Sequence, residues 1–140
     1  DLTIRLVTRR DYGQWLPLWD GYNAFYGRSG PTALKPEITA MTWSRFFDGY
    51  EPVHALVAEG DGKLLGLTHY LFHRSTTTIE PNCYLQDLFT AAETRGKGVG
   101  RALMIASVLL VLVVVEFLST WLARQQQRHL QPRHRHLQRA

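Results

Sequence analysis

Cysteine is almost missing from this chain of 140 residues: Cys83 stands alone, so no disulfide can form within it. A reducing, cytoplasmic setting is the expectation that follows. Cys83 lies inside an apolar run, where a small packed residue is expected rather than a nucleophile. Missing too is a basic stretch leading into an apolar one at the N-terminus, so no secretory leader is expected. Net charge is only +4, and Arg124, Arg128, Arg133, Arg135 and Arg139 fall within the last 17 positions. Without those five, eleven basic residues face twelve acidic ones, so the charge marks a tail and no nucleic-acid partner is expected. Internal repeats are lacking. A metal site is not expected either. His69 and His73 would share a strand face, but about 13 Å apart at ~3.3 Å per residue, too far for one ion. His129, His134 and His136 alternate with arginine in the tail, where they would hold an ion only weakly.

What is present reads as one globular domain, with 45% hydrophobic and 20% charged residues. Thr3 to Thr8 alternates and is β-branched, as a strand requires. Asp11 offers a helix N-cap. Tyr12, Trp15, Leu16, Trp19, Tyr22 and Tyr26 then recur at steps of three and four, one face of a helix in which Pro17 predicts a kink or a late start. Arg28 to Pro36 reads as a loop and Thr39 to Asp48 as a short helix. Val53 to Glu59 and Lys63 to His73 read as strands joined by a hairpin turn at Gly60-Asp61-Gly62. Ser75 to Asn82 is a further connection, and a strand from Cys83 to Thr90 completes the series.

Behind that last strand comes Arg95-Gly96-Lys97-Gly98-Val99-Gly100-Arg101, and Ala102-Leu103-Met104 opens an apolar helix. Glycines let backbone N–H groups converge on an oxyanion, and a helix N-terminus adds partial positive charge. The spacing matches neither the P-loop pattern nor the dinucleotide-binding fingerprint, since the three glycines are evenly placed. The run Tyr84-Leu85-Gln86-Asp87-Leu88-Phe89-Thr90, with R-x-x-G-x-G behind it, resembles motif A of the GNAT superfamily of acyl-CoA-dependent N-acyltransferases. Its spacing is most similar to that of the polyamine and small-amine acetyltransferases. The resemblance implies an α/β (α+β) fold with a mixed, mostly antiparallel sheet flanked by helices, and acetyl-CoA as co-substrate. It implies that the backbone amides of Arg95, Gly96, Lys97, Gly98, Val99, Gly100 and Arg101 grip the coenzyme pyrophosphate. The edge of Leu88, Phe89 and Thr90 would pair with the pantetheine arm, with the Phe89 amide polarising the thioester carbonyl. It places Tyr22, Phe25 and Tyr26 at the rim of the acceptor pocket, although core packing is the competing reading of such aromatics. A small-molecule or peptidyl amine is the implied partner, with a homodimer a further expectation.

From Ser107 the chain departs from that pattern. Ala102 to Ala123 carries one charge, Glu116, and its valine-rich centre shows no polar face. A buried fifth strand is the preferred reading, and a membrane anchor of ~20 residues the alternative. On this reading the domain is 1–123, and 124–140 is a basic Gln/Arg/His tail, disordered or a frayed helix. The general-acid tyrosine common in the resembling family is missing, because no tyrosine follows Tyr84. A one-base shift in reading frame across Gln125 to His129 would restore an Asn-Asn-Asn-Ala-Thr-like run, which sequencing the gene tests.

Acyl transfer to an amine needs the donor held, the ammonium deprotonated and the oxyanion stabilised. Gln86 stands where the similar enzymes often have glutamate, and an amide cannot act as a base. Asp87 is the nearest carboxylate, though strand alternation aims it at the opposite face from Gln86 and a structural role competes. Glu59, Glu80 or a relayed water are other options. Two functions stay open: an N-acetyltransferase, or a remnant that binds CoA weakly or not at all, either of them with or without membrane attachment.

Overall fold

The computed structural model describes residues 1–130, with the backbone alone for 111–119, 122 and 125–130. The elements in chain order are β1 (Leu2–Leu6), α1 (Tyr12–Phe25), α2 (Pro36–Arg45), β2 (Val53–Gly60), β3 (Lys63–His73), β4 (Asn82–Thr90) and α3 (Val99–Leu130). The four strands form one sheet in the order β1-β2-β3-β4, and every neighbouring pair is antiparallel. Contacts divide the chain into two units, Asp1–Val108 and Leu109–Ala140. The sheet, α1, α2 and the start of α3 belong to the first unit.

The β2–β3 hairpin closes where expected. Gly60 pairs with Lys63, and Asp61 and Gly62 both take positive φ, 50° and 74°. That is the backbone of a two-residue type I′ turn, whose twist suits the flanking strands.

Helix α1 starts at Tyr12 and runs through Pro17 without a break. A proline inside a helix costs about 3 kcal/mol. Against that stand Trp15, Leu18, Trp19 and Tyr22, all buried on one face of the sheet, and Trp15 fully so. Each such side chain contributes about 2–3 kcal/mol on burial, so packing outweighs the lost hydrogen bond. Val57, Leu64 and Leu67 form the floor beneath them, and Trp43, Phe46 and Phe47 of the α2 region pack at the side.

Asp11 is the N-cap residue of α1, as the sequence suggested, but its side chain makes no capping bond to that helix. It lies in a 3₁₀ turn, where its carboxylate accepts two bonds from Arg5, at 2.8 and 2.9 Å, and one from the Thr8 amide at 2.7 Å. Glu59 holds the same guanidinium from the other side at 2.6 Å. The Arg5 bonds, above all, hold the Asp11 carboxyl down at about 2. The three residues fasten β1 to β2 and to the entry of α1.

The expected fifth strand is absent among the described residues. The backbone is helical from Val99 to Leu130. No glycine or proline interrupts residues 101–131, so nothing stops the helix, and valine costs only a few tenths of a kcal/mol per position. Among the described residues no helix is long and apolar enough to cross a membrane. Of the predicted tail, 124–130 continues the helix and 131–140 lies outside the described residues.

Candidate functional site

The site begins at an irregularity in β4. His69 pairs with Asp87 but Tyr70 pairs with Leu85, so Gln86 is an extra residue without a partner. A bulge of this kind bends a strand and re-aims its side chains. Here it lets both Gln86 and Asp87 line one cleft, of about 510 Å³, with Trp19, Tyr22 and Asn23 of α1 opposite. Simple alternation would have sent the two side chains to opposite faces, and the bulge is invisible in the sequence pattern.

Asp87 is the outer end of a buried chain of polar groups. The Trp15 indole N–H donates to His69 Nε2 at 3.1 Å, and His69 Nδ1 lies 2.8 Å from Asp87 Oδ2. With Nε2 accepting from the indole, the ring proton belongs on Nδ1, which donates to the carboxylate. Thr68 Oγ1 donates to the Asp87 carbonyl at 2.9 Å, fixing the backbone as well. On the cleft side, burial first, and then a hydrogen bond to Asp87, push the Tyr22 phenol up to about 12. His69 is therefore packed, and it also orients Asp87, a role the sequence did not reveal. No cluster of three or more potential metal ligands occurs among the described residues.

A second cleft, of about 330 Å³, lies on the other side of Tyr22 and is lined by Phe25, Tyr26, Leu88, Phe89, Thr90 and Arg95. Of the three aromatics assigned to the acceptor rim, only Tyr22 borders both clefts. Phe25 and Tyr26 border this one alone. The Phe89 ring lies over Gly21, where a Cβ would come within 2.8 Å of it, and the Arg95 guanidinium sits 5.8 Å from the ring centroid.

β4 has no neighbour on its far side among the described residues, so that edge is open. The register decides which groups face it. Ala91 N donates to Leu65 O at 2.8 Å, and antiparallel ladders alternate, so the Leu67–Phe89 pair is hydrogen-bonded as well. The Phe89 amide therefore turns toward β3 and cannot serve a ligand at the edge. Leu88 and Thr90 present their N–H and C=O groups there instead. This corrects the role assigned to the Phe89 amide, leaving Phe89 its ring in the cleft wall.

The glycine turn follows directly, with Gly100 set against Thr90 at the end of β4. Gly96 and Gly98 adopt φ of 78° and 81°, and a Cβ on either would meet nothing within 4 Å. The positive φ admits glycine and strains other residues, while the empty surroundings show a turn open to its exterior. The first helical bond of α3 runs from Ala102 N to Gly98 O at 3.0 Å. The amides of Gly96, Gly98, Val99, Gly100 and Arg101 have no acceptor among the described residues, whereas those of Arg95 and Lys97, also expected to grip the pyrophosphate, donate within the turn to Ala92 O at 3.3 Å and Thr94 O at 3.2 Å. Lys97 and Arg101 are exposed beside them, whereas Val99 is buried and offers only backbone. These groups fit a diphosphate, by the chemistry that binds anions at helix N-termini.

Fold and site together define an α+β protein with a glycine turn of uncommitted amides at the end of β4, a strand whose far edge has no neighbour among the described residues. A family model for "Acetyltransferase (GNAT) family" matches residues 15–108. The chain belongs to this family. It is 30% identical over 105 residues to the D-amino-acid N-acetyltransferase HPA3 of Saccharomyces cerevisiae, a match covering 74% of this chain and 63% of that relative. The chain thus spans less than two thirds of that protein's length. Similar solved structures include a ribosomal-protein-alanine N-acetyltransferase from Brucella melitensis, with TM-score 0.63, 22% identity and coverage of 76% and 68% of the two chains. A GNAT family acetyltransferase from Staphylococcus aureus gives TM-score 0.65 at 15% identity, covering 81% and 79%. At these identities the two structures bear on the fold alone.

Proposed function

We propose that this chain is an N-acetyltransferase that moves an acetyl group from acetyl-CoA to the primary amine of a small-molecule or peptidyl acceptor. The observation that carries this reading is the glycine turn. Five uncommitted amides sit at the end of β4, beside its open edge, and the edge leads to the carboxylate of Asp87. Acetyl-CoA supplies the acetyl group in activated, thioester form. The amides of Gly96, Gly98, Val99, Gly100 and Arg101 bind its diphosphate, with the Arg95, Lys97 and Arg101 side chains adding charge of the right sign. Leu88 and Thr90 pair with its arm through their backbone groups, as peptides pair with exposed strand edges. The Leu88 amide takes the task of polarising the carbonyl that sequence reasoning gave to Phe89.

The acceptor amine enters by the cleft on the other side of Tyr22. Asp87, oriented by His69 and Tyr22, receives the ammonium group and takes up its proton. Gln86 has no basic function and borders the same cleft as a neutral hydrogen-bonding group. The relative from S. cerevisiae is named for D-amino acids, which makes amino acids an acceptor class to include in any panel. A thiol-release assay over amino acids, polyamines and aminoglycosides tests the reading, and release of CoA with none of them contradicts it. A second reading is a CoA-binding protein without turnover. It predicts saturable acetyl-CoA binding with no thiol release.

A further inference from the structure

We propose that the acceptor carries a carboxylate next to its amine, and that Arg28 is the residue that recognises it. The inference rests on the reading above, in which the amine is acylated where the two clefts meet at Tyr22. Arg28 is placed by the way α1 ends. Gly27, at φ 76°, donates to Ala24 O at 3.0 Å, and the Arg28 amide donates to Asn23 O at 2.9 Å. This is a complete Schellman ending, which needs a left-handed residue and folds the chain back over the last helical turn.

The side chain is then held as firmly as the backbone. Arg28 Nε donates to Asn23 Oδ1 at 2.8 Å. Asn23 is itself buried, with its Nδ2 on the Trp19 carbonyl at 2.8 Å. The guanidinium lies 5.8 Å from the Tyr22 ring centroid and 5.4 Å from that of Tyr26. Its two Nη groups have no hydrogen-bond partner among the described residues. A pinned guanidinium with both outer nitrogens uncommitted is a fork for a carboxylate, and it meets the plane of a carboxylate with two bonds.

The rest of the cleft agrees in sign. Arg28 and Arg45 line it, and Asp87 is the one carboxylate among its lining residues. Arg45 is partly offset by Glu51, 3.7 Å away, and stands half exposed, so Arg28 is the principal anion site. The ammonium of an amino acid would face Asp87 and its carboxylate Arg28, with Leu34, Ile38, Val53 and Leu71 left for an apolar side chain. A polyamine has no group to offer Arg28 and brings a second ammonium toward it.

The test compares phenylalanine, phenylalaninamide, phenethylamine and spermidine as acceptors for the intact chain. Wild type is expected to favour phenylalanine over phenethylamine by roughly 10- to 100-fold in kcat/KM, the range set by a charge-assisted hydrogen-bonded pair. Arg28→Gln should remove that preference through KM, leaving phenethylamine within about threefold of its wild-type value, while Arg28→Lys should retain part of it. Equal use of phenylalanine and phenethylamine by wild type, or an equal loss with both in Arg28→Gln, overturns the proposal. Should no amine be acetylated, the transferase reading fails, and the Arg28 site is judged by calorimetric titration of phenylalanine and phenethylamine alone. Tighter binding of phenylalanine, lost in Arg28→Gln, then supports it, and equal affinities overturn it.

Discussion

The two clefts that meet at Tyr22 are built from different parts of the polypeptide. On the side of the glycine turn the groups proposed to meet a ligand are mostly main chain, offered by Leu88, Thr90 and the amides of Gly96, Gly98, Val99, Gly100 and Arg101. On the side of Asp87 they are side chains, Arg28 from the end of α1, Arg45 from α2, and Gln86 and Asp87 from β4. A main-chain site depends on backbone conformation, so it tolerates change in every residue except those whose φ is demanding. A side-chain site depends on three separate elements arriving together, so each single residue matters. Substitutions that separate these two kinds of dependence can break or sharpen the contrast.

The largest effect belongs to the main-chain side. Gly98→Glu puts a carboxylate and a Cβ at φ 81° into the anion seat, and saturable acetyl-CoA binding should disappear from calorimetry. Gly98→Ala adds only strain, about 1–2 kcal/mol, and should weaken binding without abolishing it. On the side-chain side, Asp87→Asn should lower kcat by about 10²- to 10⁴-fold while acetyl-CoA affinity stays level. The new amide oxygen can still accept from His69 Nδ1, so the fold should survive. An equal loss of coenzyme affinity would erase the distinction between the clefts.

The buried support behind Asp87 comes next. Trp15→Ala removes a fully buried indole and should cost about 3–5 kcal/mol in denaturant unfolding. Trp15→Phe keeps most of the ring and leaves His69 Nε2 without its donor, for about 1–3 kcal/mol.

An effect confined to acid pH lies away from both clefts, at Arg5 and Asp11. The folded-state carboxyl of Asp11, at about 2, sits below the ordinary value of 3.8. Its contribution, on the order of 2 kcal/mol, is therefore present above pH ~4 and lost as pH falls toward 2. Asp11→Asn should flatten that part of an acid-unfolding curve, and an unchanged curve would show that Arg5 contributes nothing through this pair.

The same contrast explains what could be read from the chain before its fold was known. The glycine turn, the β2–β3 hairpin and the strand before the turn are written in contiguous residues, so motif and alternation suffice for them. Arg28 gave no sign, because it matters only through Asn23 five positions earlier and Tyr22 beneath it. His69 was visible as a strand histidine, but its partners Trp15 and Asp87 lie 54 and 18 positions away. The bulge at Gln86 escaped for a related reason, since an extra residue is defined by the facing strand. The Phe89 amide was misassigned because its direction depends on register with β3. The valine-rich segment was read as a strand on composition, where the absence of any helix-stopping residue carried more weight.

The central claim, that main-chain amides around Gly96, Gly98 and Gly100 hold a coenzyme diphosphate, is tested most directly by calorimetric titration of acetyl-CoA into the unmodified protein. One saturable site per chain, with a dissociation constant on the order of micromolar, is the expected result. No heat of binding up to millimolar acetyl-CoA, from protein shown to be folded, would contradict it.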